Sequence, residues 1–400
     1  MSFSKTSVKP QLSERLVSID ALRGFDMFWI IGGDALFNAL ARAGKWPIQT
    51  EVEDQLEHVH WEGFHFYDLI FPLFLFLVGV VLPFSMGKLL EHEVRTSKLY
   101  WRIFRRAILL FVLGLVYNGL FNLDWLVREP SLHIDLSKIR IAGVLQRIAI
   151  CYLFASLIML NFSIRAQMIL YVVLLVGYWA LLAFVPVPGV SRAQGQQNPQ
   201  TLSLTGAYWS EKDSLAGYVD RRWLPGKHVN AYYEFGDNEG LLSTIPAIVT
   251  ALLGALAGQW LRSLASPWRK VLGLLIAGVV CLGLGLLWSR WFPIIKNIWT
   301  SSFVLVAGGW SLLLLAFFYA VIDVIHFRWW AFVFIVIGAN AITIYLAKEI
   351  IPFDRIAAFF LGGAAKHAKH YGPVVLTAGT LVVEWLFLLY LYRRRIYLRV

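Results

Sequence analysis

The stretch His58-Val-His-Trp-Glu-Gly-Phe-His-Phe-Tyr-Asp-Leu-Ile-Phe-Pro72 runs without a break into the apolar segment Leu73–Pro83. Together they decide the fold class. The second half is long enough to enter a bilayer as a helix, and a chain that puts three histidines, Glu62 and Asp68 at the mouth of such a run faces a cost. Unpaired ionisable groups are expensive at that depth, so their presence predicts chemistry rather than packing.

Composition extends this reading to the whole chain. The 400 residues are 58% hydrophobic, 15% aromatic and only 15% charged, with a mean hydropathy of +0.63. That balance excludes a set of soluble domains and predicts an all-α polytopic membrane protein. The net charge of +11 would suggest nucleic-acid binding in a soluble protein. Here the basic residues gather between apolar runs, as membrane orientation requires, and no nucleic-acid role is expected. Cys151 and Cys281 sit in separate apolar runs without Cys-x-x-Cys or Cys/His spacing, so neither disulfides nor a metal site is predicted.

The chain opens with a polar segment, 1–17, whose Lys5, Lys9 and Arg15 lead into an apolar run ending near Leu40. Ala39-Leu40-Ala41 satisfies a small-x-small cleavage pattern, which raises a signal peptide. The length of the run and the presence of Asp26 and Asp34 within it favour a retained span. Windows of about 20 apolar residues place further spans near 66–87, 103–121, 141–162, 166–186, 241–261, 271–290, 299–322, 330–347 and 373–392. The expectation is thus about ten spans in a single domain over 18–397.

Basic residues set the orientation. A cytoplasmic amino terminus puts Lys88, Arg95, Lys98, Arg102, Arg105 and Arg106 in one cytoplasmic loop, and Arg393, Arg394, Arg395 and Arg399 at a cytoplasmic carboxyl terminus. The positive-inside rule asks for this arrangement. It leaves the long polar loop 187–240 outside. Asp34 then lies about 21 Å along the first span from Asp20, in the outer part of a core about 30 Å thick. His58 and Asp68 approach the same level from the outer side. One alternative makes Asp34 a structural partner of Arg147, and His58 an interfacial histidine.

His58, Trp61, Gly63, Asp68, Phe71 and Pro72 stand at the spacing of a His, a Trp-x-Gly and an Asp-Leu-x-Phe-Pro run. In this the chain resembles the heparan-α-glucosaminide N-acetyltransferase family, as a bacterial-type member. Asp20, Arg23 and Gly24 match its Asp-x-x-Arg-Gly motif. The family has a polar amide eleven residues after that Arg, where this chain has Asp34. Arg140-Ile-Ala-Gly-Val-Leu-Gln-Arg147 resembles the family's Arg-x-Pro-Gly-Val-Leu-Gln-Arg, with Ala142 for the proline. Gly217-Tyr-Val-Asp-Arg221 and Asp237-Asn-Glu-Gly240 are similar to a further pair of family motifs, with Asn238 for a proline. Lys296-Asn-Ile-Trp299 and Gly338-Ala-Asn340 also look like family positions.

The resemblance implies transfer of an acetyl group from cytoplasmic acetyl-CoA to the amine of a terminal glucosaminide across the membrane. His58 rather than His60 or His65 would be the catalytic residue, with Asp34 orienting or supporting it. Only a neutral amine attacks a thioester, and an imidazole with a reference pKa of about 6.5 suits the base. The same imidazole could carry the acetyl group transiently.

Trp61, Asp68, Asp237 and Glu239, with Arg147 and Asn340, would serve the sugar. Arg23, Arg102, Arg105 and Arg106 would meet the phosphates of acetyl-CoA, although topology alone also accounts for them. Expected partners are acetyl-CoA, the aminosugar and the lipid bilayer; a homo-dimer stays open. The implied location is the bacterial inner (plasma) membrane. Two rivals remain: an aminosugar or sugar transporter, which needs no cofactor, and an acyltransferase for another periplasmic glycan.

Overall fold

The computed structural model describes residues 16–45, 47–91, 97–120, 140–188, 190, 209–224 and 235–398. Lipid offers backbone groups no hydrogen bonds, so the apolar runs close theirs internally as helices. They are α1 (Val17–Phe28), α2 (Asp34–Gly44), α3 (Gln49–Leu56), α4 (Ile70–Glu91) and α5 (Ser97–Leu115), then α6 (Val144–Asn161), α7 (Ile164–Phe184) and α8 (Leu215–Trp223). There follow α9 (Thr244–Arg262), α10 (Pro267–Trp288), α11 (Ser301–Phe318), α12 (Ala331–Ala339), α13 (Ala341–Ile350), α14 (Phe353–His367) and α15 (Gly372–Arg393). No strand occurs among the described residues; Glu62 and Ile295 form an isolated antiparallel bridge.

The chain is an all-α multi-pass membrane protein. Among the described residues seven helices are long and apolar enough to span, or eight if α12 and α13 are one bent crossing. Ten were expected. The first run is cut in two: Trp29–Gly33 winds in a wide π-type turn in which Gly32 has φ 137°, a conformation only glycine takes freely. The run at 103–121 carries Arg105 and Arg106 and lies on α5, which adds Lys98 and Arg102. That helix buries the stripe Leu99, Ile103, Ala107, Leu110 and Gly114. Residue 121 falls outside the described residues. α14 was not anticipated as a helix at all, because its 15 residues are too few to cross alone.

α4 is the central helix, with Leu73, Leu75, Phe76 and Val80 fully buried. Lipid gives no hydrophobic drive between helices, so close packing has to hold them. A Cβ on Gly79 would stand 1.9 Å from the Ala251 carbonyl oxygen, and one on Gly254 1.9 Å from that of Phe76. α4 and α9 therefore cross with backbones in contact. α7 and α10 turn outward instead, exposing Ile169, Val172, Val279 and Leu286 as a lipid-facing surface requires.

Broken helices meet in the interior. α12 and α13 bend by 70° at Asn340. From α13, Lys348 Nζ donates to the Ile30 and Ile31 carbonyls at 3.4 and 3.0 Å, satisfying backbone that the wide turn frees. Tyr345 on the same helix stacks on Tyr117 at 4.7 Å, and the Tyr117 hydroxyl donates to Glu349 at 3.0 Å.

Candidate functional site

The loop before α4 is shaped by Gly63, whose φ of 135° no residue with a side chain adopts comfortably. Its N–H donates to the Ile294 carbonyl at 2.9 Å, tying this loop to the loop 289–300. The second loop is itself pinned. The Tyr178 hydroxyl donates to Ile298 O at 2.6 Å, Ile295 N donates to Thr300 Oγ1 at 3.0 Å, and Thr300 Oγ1 donates to Pro293 O at 2.8 Å. Two loops far apart in sequence thereby hold His58 and Lys296 side by side.

His58 Nδ1 lies 2.9 Å from Asp68 Oδ1. The Asp68 side chain is fully buried while that of His58 is 49% exposed. Asp68 Oδ2 accepts from the backbone N–H of His65 at 3.0 Å and of Val59 at 3.3 Å, so the carboxylate is fixed before it meets the imidazole. A carboxylate only accepts, which puts the Nδ1 proton between the two and makes Nε2 the acceptor nitrogen of the ring. The Tyr67 ring packs against the imidazole at 4.8 Å.

Lys296 is the third member. Its Nζ stands 2.8 Å from His58 Nδ1, 3.0 Å from Nε2 and 3.3 Å from Asp68 Oδ1, with the side chain only 14% exposed. Burial pushes this ammonium below its ordinary range, and Asp68 beside it opposes that shift. Sequence reasoning noted the Lys296-to-Trp299 run but gave Lys296 no role. The signal available was a lysine in an otherwise apolar turn between two spans.

The structure moves several expected roles. Asp68, assigned to the sugar, holds the imidazole, the place expected of Asp34. Asp34 lies within electrostatic reach of Tyr67 and so stands one residue removed from His58. His60 and His65 are engaged elsewhere: His60 faces Glu211 at 3.7 Å with its side chain 84% exposed, and His65 Nδ1 meets the Glu57 carbonyl at 3.0 Å.

Asp237 and Glu239, expected to serve the sugar, share an arginine partner. Arg140 clamps Asp237 through Nε at 2.9 Å and NH2 at 2.6 Å, and reaches Glu239 at 2.5 Å. Burial raises the Glu239 carboxyl above its usual range against the pull of Arg147 and Arg140. Beneath them, buried Asp220 accepts from Leu241 N at 2.8 Å and Asp237 N at 3.4 Å. Desolvation outweighs those two bonds and pushes its carboxyl up to about 7. Trp61 donates Nε1 to the Trp209 carbonyl at 3.2 Å and packs edge-on against Phe235. Arg147 is buried, hydrogen-bonded to Ser243 and Gly240, with its guanidinium 4.9 Å over Trp299. Its NH2 pairs with Ser243 rather than Asp34, and its buried Nε and NH1 have no hydrogen-bond partner among the described residues.

Farther along α4 from Asp68 a cavity of about 140 Å³ is lined by Arg23, Arg106, Tyr152, Asn340 and Thr343, with Leu77 and Val81 of α4 among its apolar walls. Two of the four expected phosphate-binding arginines thus converge, while Arg102 and Arg105 are exposed on α5 and line no part of it. Arg23 is already held by Asp20 at 2.6 Å and by the Gly338 carbonyl at 2.7 Å. Arg106 lies over the Tyr152 ring at 4.8 Å, its buried Nε without a partner. Asn340 leaves Nδ2 buried and unpartnered, on this cavity rather than beside the outer residues where the sugar was expected. Phe74 and Leu82, both on the wall, come six and fourteen residues after Asp68, or about 9 and 21 Å along a helix.

Residues 15–201 match the family described as "Heparan-alpha-glucosaminide N-acetyltransferase, catalytic". The chain is 26% identical over 431 aligned positions to the Homo sapiens heparan-alpha-glucosaminide N-acetyltransferase, covering 97% of this chain and 60% of that protein. It is 27% identical over 383 positions to the Mus musculus protein of the same name, covering 86% and 56%. The chain therefore spans somewhat over half the length of these curated relatives. With the ordered motifs, these matches support a relationship of the chain to the heparan-α-glucosaminide N-acetyltransferase family.

Proposed function

We propose that this protein is a transmembrane N-acetyltransferase that moves an acetyl group from acetyl-CoA to the amine of glucosamine or a terminal glucosaminide. The observation that carries the reading is the His58–Asp68 contact at 2.9 Å, which commits Nδ1 and leaves Nε2 as the basic nitrogen of a half-exposed ring. Such a dyad turns an imidazole into a positioned base, a role worth roughly 10²–10⁴-fold in rate. Asp34 supports the site at one remove, through Tyr67.

Acetyl-CoA enters in this reading from the end carrying Arg23 and Arg106, whose cations suit phosphate. The Asn340 Nδ2, unpartnered on the same cavity, is available to a carbonyl of the pantetheine arm. The thioester then lies along α4 toward His58. The basic clusters flanking the spans make that end cytoplasmic and the His58 end periplasmic, which suits a bacterial inner membrane. The sugar approaches His58 from the outer loops, with Trp61 in the wall. His58 Nε2 takes a proton from the neutral amine as it attacks, or holds the acetyl group between two half-reactions.

The test is incubation of the purified chain with labelled acetyl-CoA and free glucosamine. Labelled N-acetylglucosamine with stoichiometric CoA release is the expected result. Uptake of sugar into vesicles without consumption of acetyl-CoA would replace the reading with a transporter, and acylation of a different glycan would change the acceptor only.

A further inference from the structure

The contact between Lys296 and His58 is unlike an ordinary hydrogen bond. Its Nζ is nearly equidistant from the two ring nitrogens, 2.8 and 3.0 Å, yet their in-plane directions diverge, so one donor cannot align with both. The ammonium is therefore held beside the imidazole by charge and by its own anchored loop. Asp68 Oδ1 is its counter-charge at 3.3 Å. Among the described residues Nζ has no hydrogen-bond partner beyond His58 and Asp68, and an ammonium carries three donors.

Placement matters more than charge alone. An amine that gives its proton to His58 Nε2 must sit within hydrogen-bond distance of that nitrogen. The carbonyl carbon it attacks is one bond further, and the carbonyl oxygen one bond beyond that. A cation 3.0 Å from Nε2 is within reach of that oxygen. The loop that carries it is fixed by the Glu62–Ile295 bridge, by Tyr178 and by Thr300, so the charge is in place before substrate arrives. Preorganised donors aimed at developing charge are the strongest single device in acyl transfer.

We propose that Lys296 is a catalytic residue whose ammonium binds the oxygen of the migrating acetyl group while His58 removes the proton from the attacking amine. The proposal rests on the acetyl-transfer reading above. In the step, the amine nitrogen bonds the acetyl carbon and its proton passes to His58 Nε2. Negative charge collects on the carbonyl oxygen beside Lys296. The C=O bond then reforms as the carbon–sulfur bond breaks. The electron pair leaves with the sulfur of CoA, which takes the proton back from His58. Asp68 and Lys296 carry opposite charges throughout.

A lysine that merely pins two loops together would give a different set of results. The full chain in detergent is assayed with acetyl-CoA and glucosamine as wild type, Lys296→Met, Lys296→Arg, and Lys296→Cys before and after alkylation with 2-bromoethylamine. Cys151 and Cys281 remain in every form, and alkylated wild type is the control. Lys296→Met should lose on the order of 10²–10³ in kcat with the KM for acetyl-CoA unchanged. Alkylated Lys296→Cys, which regains an ammonium, should recover at least a tenfold share of that loss. Because its ammonium is more acidic than that of lysine, the basic limb of its kcat profile should move to lower pH.

Wild-type kcat in Lys296→Met overturns the proposal. So does recovery of thermal stability on alkylation without recovery of kcat, which marks a structural pin. If Lys296→Met does not fold, the cysteine pair decides by the same criterion. Absence of acetyl transfer in the wild type defeats the underlying reading instead, a failure separate from that of Lys296.

Discussion

Asp68 Oδ1 accepts from His58 Nδ1 at 2.9 Å while its other oxygen accepts two backbone N–H groups. The carboxylate is thus fixed by the loop it anchors and in turn fixes the imidazole. Asp68→Asn keeps the shape but can offer an N–H to Nδ1, favouring the wrong tautomer. It should lower kcat by roughly 10²–10⁴-fold, as loss of a positioned base does. His58→Ala should match or exceed that loss, whereas His60→Ala and His65→Ala should keep most activity. Steady-state rates on the four variants check this. A fully active His58→Ala protein would move the search to other residues.

Asp34 gives the contrasting case. Because it stands beyond Tyr67 from His58, and because the family carries an amide at this place, Asp34→Asn should retain at least a tenth of wild-type kcat. The comparison with Asp68→Asn under identical conditions is the measurement. Equal losses in the two variants would restore Asp34 to a direct role.

Arg140 bridges two carboxylates, the buried Asp237 and the part-buried Glu239. Arg140→Met removes the cation hydrogen-bonded to both and leaves only the more distant pull of Arg147, and breaking a buried ion pair costs about 3 kcal/mol or more. A fall in melting temperature of several degrees in detergent is expected. If Arg140→Met melts with the wild type, the carboxylates are free to bind a ligand after all, and the sugar role first assigned to them returns.

Asp220 makes stability depend on pH. Its carboxyl is raised by burial to about 7 in the folded chain, above the unfolded reference of about 3.9. The folded state therefore holds the proton more tightly, and the stabilisation is complete below about 4 and lost as pH rises through about 7. Melting temperature of the wild type should fall across that window. Asp220→Asn, which cannot ionise, should lose stability at every pH through its poorer acceptor set but should flatten the slope. An unchanged slope would assign the dependence to another group.

Much of this was written in the local sequence. The apolar runs fixed helices because lipid leaves them no other way to satisfy their backbone, and His58 with Asp68 stood in one stretch of fifteen residues. What escaped was tertiary. The wide turn at Gly32 divides a run that hydropathy reads as continuous. Lys296 lies 238 positions from His58 and meets it only because Gly63 and Ile294 join two loops. Asp237 and Glu239 looked like free acceptors because their partner, Arg140, comes from a different motif. Periodicity and spacing report which face a residue takes, and they do not report who stands opposite.

The two groups of arginines separate by the same argument. Arg106 has a buried Nε without a partner and faces a cavity of about 140 Å³, whereas Arg102 and Arg105 are exposed on the same helix. Removing a charge-assisted hydrogen bond to an anion costs about 1.5–3 kcal/mol, or roughly 10- to 150-fold in affinity. Arg106→Met should therefore raise the KM for acetyl-CoA by at least tenfold with little change in kcat, since a phosphate contact is made equally in ground and transition states. Arg102→Ala and Arg105→Ala should leave that KM within about twofold, since a solvated arginine contributes little to a site it does not line. Dephospho-CoA thioesters sharpen the result. If Arg106 holds the 3′-phosphate, the variant should no longer distinguish the two donors; if it holds the pyrophosphate, discrimination should persist at lower affinity. Equal KM effects from all three arginines would mean that the net positive charge of this end, rather than the cavity, attracts the donor, and the effect should then fade as ionic strength rises.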